Sequence, residues 1–358
     1  MRQDSGMLRR PLIALVLLAF LALPRAVAGR RADTLPGTLS DREFWSLTQQ
    51  LSEPNGSFVS RSGSTDNLLS NEMQVSTVAA ALARQVPSSG VYLGVGPEQN
   101  FTYIAAIKPR MAFIADIRRG NLDLHLVYKA LFEMSANRAE FVARLFNRKP
   151  VTALPRAASG AQLMTAYSNA SPVDATTFAG NLKAVADLLT NTHGFVLSTD
   201  DRAGIEHAFR AFYQFGPAID YTSSINGWSG RFVTYATLMG SVDSQSGGER
   251  SFLASEENFA LVKTLESRNA IVPVVGDFAG PKALRAIGAW LKARNATVSV
   301  FYVSNVEQYL ERNGVWPAFC ANVATLPLTR SSIFIRPNRG SSSFSPMVAE
   351  TAACGARL

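Results

Sequence analysis

Apolar positions along the chain change their spacing several times, and each change predicts an element. Val91-Tyr92-Leu93 is a short continuous apolar run between turn residues, the pattern of a strand buried on both faces. Gly94-Val95-Gly96-Pro97 turns it into a helix from about Glu98 to Ile107, closed by Pro109. Met111 to Ala115 is a second strand that ends at Asp116. Leu122, Leu126, Tyr128, Leu131 and Phe132 then recur at helical spacing, and the helix continues through Phe141 and Leu145. Upstream, Ser40-Asp41-Arg42-Glu43 has the form of a capping box ahead of Phe44, Trp45, Leu47 and Leu51. Pro54 to Asn71 is a Gly/Ser/Asn-rich loop. An alanine-rich helix from about Glu72 to Val86 follows it and stops at Pro87 and the Ser88-Ser89-Gly90 turn.

Beyond Pro150 the alternation lapses, and the spacing predicts helices over Thr177 to Leu189, Asp201 to Phe215 and, behind the N-cap Ser255, Glu256 to Arg268. Arg231 to Met239 reads as a strand among them, and Ser244 to Glu249 as a loop. Alternation returns with a strand from Ile271 to Val275, a Gly276-Asp277-Phe278-Ala279-Gly280 turn and a helix from Pro281 to Arg294 with proline at its first position. Thr297 to Val303 is a further strand, Ser304-Asn305 caps a short helix, and Ser331 to Ile335 is the last strand expected. The predicted organisation is a signal over 1–28, a linker with N-terminal helices over 29–90, and a first α/β half over 91–150. A mainly helical insertion or cap over 151–269, a second α/β half over 270–340 and a flexible tail over 341–358 complete it.

Composition narrows the class. A chain of 358 residues with 47% hydrophobic and 17% charged positions belongs with globular proteins rather than disordered ones. The formal net charge is +8, but Arg2, Arg9, Arg10 and Arg25 crowd the first 28 residues, and about +5 remains without that segment. No basic run is interleaved with aromatics, so a nucleic-acid partner is not expected. Arg9-Arg10, the apolar run from Leu12 to Leu23 and Ala26-Val27-Ala28 together predict a secretory signal. The expected location is therefore the periplasm or envelope, with membrane contact only through that segment, or the cytoplasm if it is not a working signal. Cys320 and Cys354 could pair in an oxidising compartment, but two cysteines give no disulfide framework, and a bridge between them is not expected. His125, His193 and His207 lack metal-ligand spacing and predict no metal site.

In a doubly wound sheet the ligand lies beyond the carboxyl ends of the strands, which makes the residues just after each strand the candidates for binding. Gly94 and Gly96 allow a tight turn and a close backbone approach, and Glu98 and Gln99 open a helix whose N–H groups are free. Asp116 follows at about the 20-residue spacing of an acid that accepts from ribose hydroxyls. Asp277 is placed to accept from a base amino group, and Phe278 to pack on its ring. Each feature also has a purely structural reading: a tight βα turn for the glycines, helix caps for the acids and a core aromatic for Phe278. Arg118 and Arg119 read as a solvated pair or an anion site. The sixth position of the glycine pattern is Gln99, where a dinucleotide fingerprint has glycine, so a nicotinamide or flavin enzyme is disfavoured.

The segments Tyr92-Leu93-Gly94-Val95-Gly96-Pro97-Glu98-Gln99-Asn100-Phe101-Thr102-Tyr103, Val274-Val275-Gly276-Asp277-Phe278-Ala279-Gly280-Pro281-Lys282 and Tyr302-Val303-Ser304-Asn305-Val306-Glu307-Gln308-Tyr309-Leu310 resemble an uncharacterised bacterial family with a class I S-adenosylmethionine-dependent methyltransferase-like fold. The likeness runs from about Phe44 to Arg339. It implies an α/β, Rossmann-like, mostly parallel sheet with helices on both faces and a largely helical insertion. It also implies S-adenosylmethionine as cofactor, at Gly94, Gly96, Asp116 and Asp277, and substrate-orienting groups at Ser304, Asn305 and Glu307. No Asn-Pro-Pro-Tyr-type motif specifies an acceptor. Two functions are expected on these grounds: methyl transfer to an unknown acceptor, or an exported binding protein that keeps the fold without catalysis. Either would take a small, nucleotide-like ligand.

Overall fold

The computed structural model describes residues 33–57, 66–88, 90–230, 232–338 and 341–356, with Met1. Apart from Met1, the expected signal falls outside the described residues, as do Ser89 of the Ser88-Ser89-Gly90 turn, Arg231 and residues 58–65 of the predicted loop. Everything below concerns the compact unit from Asp33 onward.

Six strands form one sheet: β1 (Val91–Gly94), β2 (Met111–Asp116), β3 (Ile271–Val275), β4 (Val298–Tyr302), β5 (Leu328–Asn338) and β6 (Ser341–Pro346), in the order β3-β2-β1-β4-β5-β6. The first five pair in parallel and β6 runs antiparallel to β5. Every residue of β1, β2 and β3 is buried, as expected of strands covered on both faces. Pro273 lies within β3 opposite Ile114; a residue with no N–H is tolerated there because β3 is an edge strand. The order in which strands are added to the sheet reverses between β1 and β4, which defines the crevice where such sheets take ligands.

The helices are α1 (Asp41–Leu51), α2 (Val75–Gln85), α3 (Gln99–Ile107), α4 (Arg119–Met134), α5 (Arg138–Phe146), α6 (Gly160–Ser168), α7 (Ala175–Asp187), α8 (Thr199–Phe215), α9 (Ser223–Asn226), α10 (Tyr235–Met239), α11 (Glu256–Ser267), α12 (Ala283–Lys292), α13 (Val306–Arg312), α14 (Trp316–Val323) and α15 (Met347–Ala356). One layer joins α2, α3, α4 and α11; the other joins α1, α12, α14 and α15. The fold is thus α/β and Rossmann-like, a mostly parallel sheet with helices around it. The predicted insertion, 151–269, holds only helices and turns among its described residues, apart from isolated bridges. Phe101 of α3 ties it to the sheet layer, meeting Tyr128 at 5.1 Å, Phe132 at 5.2 Å and, from the insertion, Phe252 at 5.4 Å between ring centroids.

Five expectations are corrected. The single long helix after Asp116 is two, α4 and α5, because Asn137 adopts an extended conformation and its side chain accepts from Glu140 N–H as an N-cap. Of the strand expected from Arg231 to Met239, the described residues form none: Thr234 caps α10 through Thr237 N–H. α12 begins at Ala283, not Pro281, because the Glu53 carboxylate accepts from the N–H groups of Lys282 and Ala283 and so fixes the helix start there. The flexible tail is instead β6 and α15, and the bridge not expected between Cys320 and Cys354 is present, joining α14 to α15 with Cα atoms 5.8 Å apart.

Candidate functional site

A crevice of about 510 Å³ opens at the carboxyl end of the sheet, within the size range of small-molecule sites. Of the residues chosen from sequence, it brings together Gly96, Gln99, Asp116, Asp277, Phe278, Ser304 and Asn305; Gly94, Glu98 and Glu307 do not line it.

The loop after β1 is built from within. Asn100 Nδ2 donates to the carbonyls of Val95 (3.0 Å), Gly96 (3.1 Å) and Pro97 (2.7 Å), and Tyr92 Oη–H donates to Asn100 Oδ1 (2.8 Å). Across a trans peptide the N–H points opposite to the C=O, so a carbonyl of Val95 held by Asn100 turns the Gly96 N–H away from that side chain. The two glycines have different reasons. A Cβ at Gly94 would overlap Asn100 Oδ1 and lie 2.7 Å from Tyr92 Cε1, so Gly94 serves packing rather than ligand approach. A Cβ at Gly96 would make only an ordinary contact, 3.8 Å from Gln99 Nε2, but φ is +77°, a left-handed conformation that costs a residue with a side chain about 1–2 kcal/mol. His125 Nε2 lies 2.9 Å from Gly96 O. A carbonyl can only accept, so Nε2 carries the proton, and burial lowers the imidazole to a pKa of about 4, which keeps the ring neutral.

Asp116 ends β2 with both carboxylate oxygens engaged by Arg118: Nε and the backbone N–H reach Oδ1 at 3.0 and 2.9 Å, and Nη2 reaches Oδ2 at 3.0 Å. The pair is largely buried. Each oxygen accepts about two hydrogen bonds, so Oδ2 keeps capacity for a ligand hydroxyl. Arg118 and Arg119 are therefore not a solvated pair; Arg119 Nε binds Asp201 at 2.7 Å. Gly276 N–H donates to Asp116 O at 2.7 Å and holds the ends of β2 and β3 together. Asp277 is half-buried, and its Oδ1 accepts from Ala279 N–H at 2.9 Å. The Phe278 ring packs with Phe301 (4.9 Å) and Phe319 (6.0 Å), so the side chain belongs to the core beneath the crevice.

Four residues behave differently from their sequence reading. Glu98 is buried with its carboxylate 3.3 Å from Ser70 N, and desolvation raises it to a pKa of about 8. Glu307 forms a two-point ion pair with Arg336 at 2.6 and 2.8 Å. Asn305 occupies the N-cap of α13 without a side-chain capping bond, and Ser304 Oγ donates instead to Glu72 at 2.7 Å.

The remaining walls were missed from sequence: Ser57, Asn67, Ser70 and Asn71 on one side, Tyr221 from the insertion, and Gln308, Tyr309 and Arg312 of α13 on the other. The 66–71 wall is pinned by Asp66, which accepts from His207 Nε2 (2.6 Å) and from Ser224 Oγ. Glu53, also unsuspected, takes the N–H groups of Asp277, Lys282 and Ala283. A fixed carboxylate at the start of α12 leaves that helix end closed to a phosphate.

A search of the curated proteins finds no match. The family model described as Domain of unknown function (DUF7790) matches residues 68–187 and 231–352, which together hold all six strands, and its gap falls inside the helical insertion. That match covers more than half of the chain, and the protein belongs to the DUF7790 family.

Proposed function

We propose that the crevice binds S-adenosylmethionine and that the protein is a methyltransferase of unknown acceptor. One observation carries this reading: Gly96, Gln99, Asp116, Asp277 and Ser304-Asn305, which follow four different strands, line one crevice at the β1/β4 switch point. The group fits the residues present. Asp116 Oδ2 suits ribose hydroxyls, Asp277 suits an amino group on a base, and the acids and carbonyls suit the cationic sulfonium better than a pyrophosphate. Bound there, the cofactor would supply an electrophilic methyl group; the chain would supply position and orientation.

The second reading is an exported binding protein without turnover. The signal-like N-terminus and the Cys320–Cys354 bridge favour it, because disulfides persist in oxidising compartments, whereas the methyl donor is a cytoplasmic metabolite. Calorimetric titration of the full chain with S-adenosylhomocysteine separates the two. Methyl transfer predicts micromolar affinity that weakens about tenfold in Asp277→Asn, the loss of one charge-assisted hydrogen bond. A folded sample that gives no heat rejects the first reading and leaves the second.

A further inference from the structure

Gln99, after β1, and Ser304, after β4, both line the crevice at the switch point, and one carboxylate, Glu72 from the segment before α2, orients Ser304 directly and Gln99 through Tyr302. Ser304 Oγ–H donates to Glu72 Oε1 at 2.7 Å, and Tyr302 Oη–H donates to the same oxygen. Tyr302 Oη in turn accepts from Gln99 Nε2 at 2.8 Å, and Val95 O accepts from that nitrogen at 3.4 Å. Neither Val95 O nor the committed Tyr302 hydroxyl can donate back, so the Gln99 amide has one orientation. Its Oε1 is buried without a partner among the described residues, on a side chain 2% exposed in the wall of the crevice. Leaving such an oxygen unpaired costs about 1–3 kcal/mol, which a bound donor would recover.

Ser304 is in the same condition. Its only proton is spent on Glu72, so toward the crevice it offers lone pairs. Asp116 and Asp277, the acids of the same crevice, add acceptors and no donors. A hydroxyl has one proton for two waiting acceptors, whereas an amino group has two or three. We infer that the β1/β4 end of the crevice selects a ligand amino group, received by Gln99 Oε1 and Ser304 Oγ, with Glu72 as the positioning residue that turns both into acceptors. This rests on the nucleoside reading above and names the chemistry next to the transferred methyl.

Sinefungin, which carries an amino group where S-adenosylmethionine carries its methyl, is the probe. Calorimetry on the full chain should show sinefungin binding about tenfold or more tighter than S-adenosylhomocysteine. In Glu72→Met, which removes the oxygen that takes both protons and leaves the Ser304 and Tyr302 hydroxyls able to donate, that ratio should fall toward one while S-adenosylhomocysteine affinity stays within about twofold; general structural damage would weaken both ligands together. Gln99→Met removes the orphan oxygen at similar volume and should also abolish the preference. A wild-type ratio near one, or a ratio indifferent to both substitutions, overturns the inference. If neither nucleoside binds, the function reading fails, and the donor preference is read directly: the ¹⁵N-labelled Gln99 side-chain amide should shift with methylammonium but not with acetate. Equal responses, or none, overturn it.

Discussion

Glu98 stands one residue ahead of α3, and burial raises its carboxyl to a pKa of about 8, with the nearby Glu72 acting in the same direction against the Ser70 N–H and its own. A carboxyl raised in the folded state stabilises fully below its unfolded pKa near 4.3, and that stabilisation is lost as pH rises through 8. Between pH 6.5 and 8 the loss comes to about 2 kcal/mol, and in that window His125 stays neutral in both states for most of the range. Denaturant unfolding at pH 6.5, 7.5 and 9 should therefore show Glu98→Gln losing less stability than the parent by about that amount; parallel curves would contradict the buried-acid account. From sequence Glu98 looked like a ligand residue because it follows the glycine turn. Its charge acts on the buried hydroxyls of Tyr128 and Tyr235, which come from far along the chain, and no local pattern announces such surroundings. Gly96, by contrast, was legible, since a left-handed turn residue after a buried strand is a local demand.

At the scale of elements, strands buried on both faces were readable because each is a continuous apolar run, and β1, β2, β3 and β4 fall within a residue or so of their expected ends. β6 was not. Ser341-Ser342-Ser343-Phe344-Ser345 carries little apolar signal, and it becomes a strand only because β5 offers it an edge. α15 depends in the same way on α14 and the Cys320–Cys354 bridge, whose spatial proximity no spacing of 34 residues could declare. Closing a loop of that length lowers the entropy of the unfolded chain by the equivalent of about 3–4 kcal/mol. Cys354→Ser should accordingly lower unfolding stability by roughly 2–4 kcal/mol in oxidising buffer and match the reduced parent. A variant as stable as the oxidised parent would mean the C-terminal helix is held by packing alone.

For the whole molecule, the strand-end rule located the floor of the site and could not supply its walls. Asp116, Asp277 and Ser304 meet because parallel strands place their carboxyl ends at one edge of the sheet. Asn67, Tyr221 and Arg312 join them through tertiary contacts rather than by period or composition: Asp66 holds His207 and Ser224 of the insertion, and α13 follows β4 at the same end of the sheet. The proposed function puts a nucleoside between these polar walls and the α/β floor. A crystal structure of the full chain soaked with S-adenosylhomocysteine tests that most directly. Methyl-donor binding predicts density in the crevice with ribose oxygens on Asp116 and the adenine edge on Asp277; a well-ordered crystal in which the ligand lies elsewhere, or in which the crevice holds only solvent at saturating ligand, contradicts it.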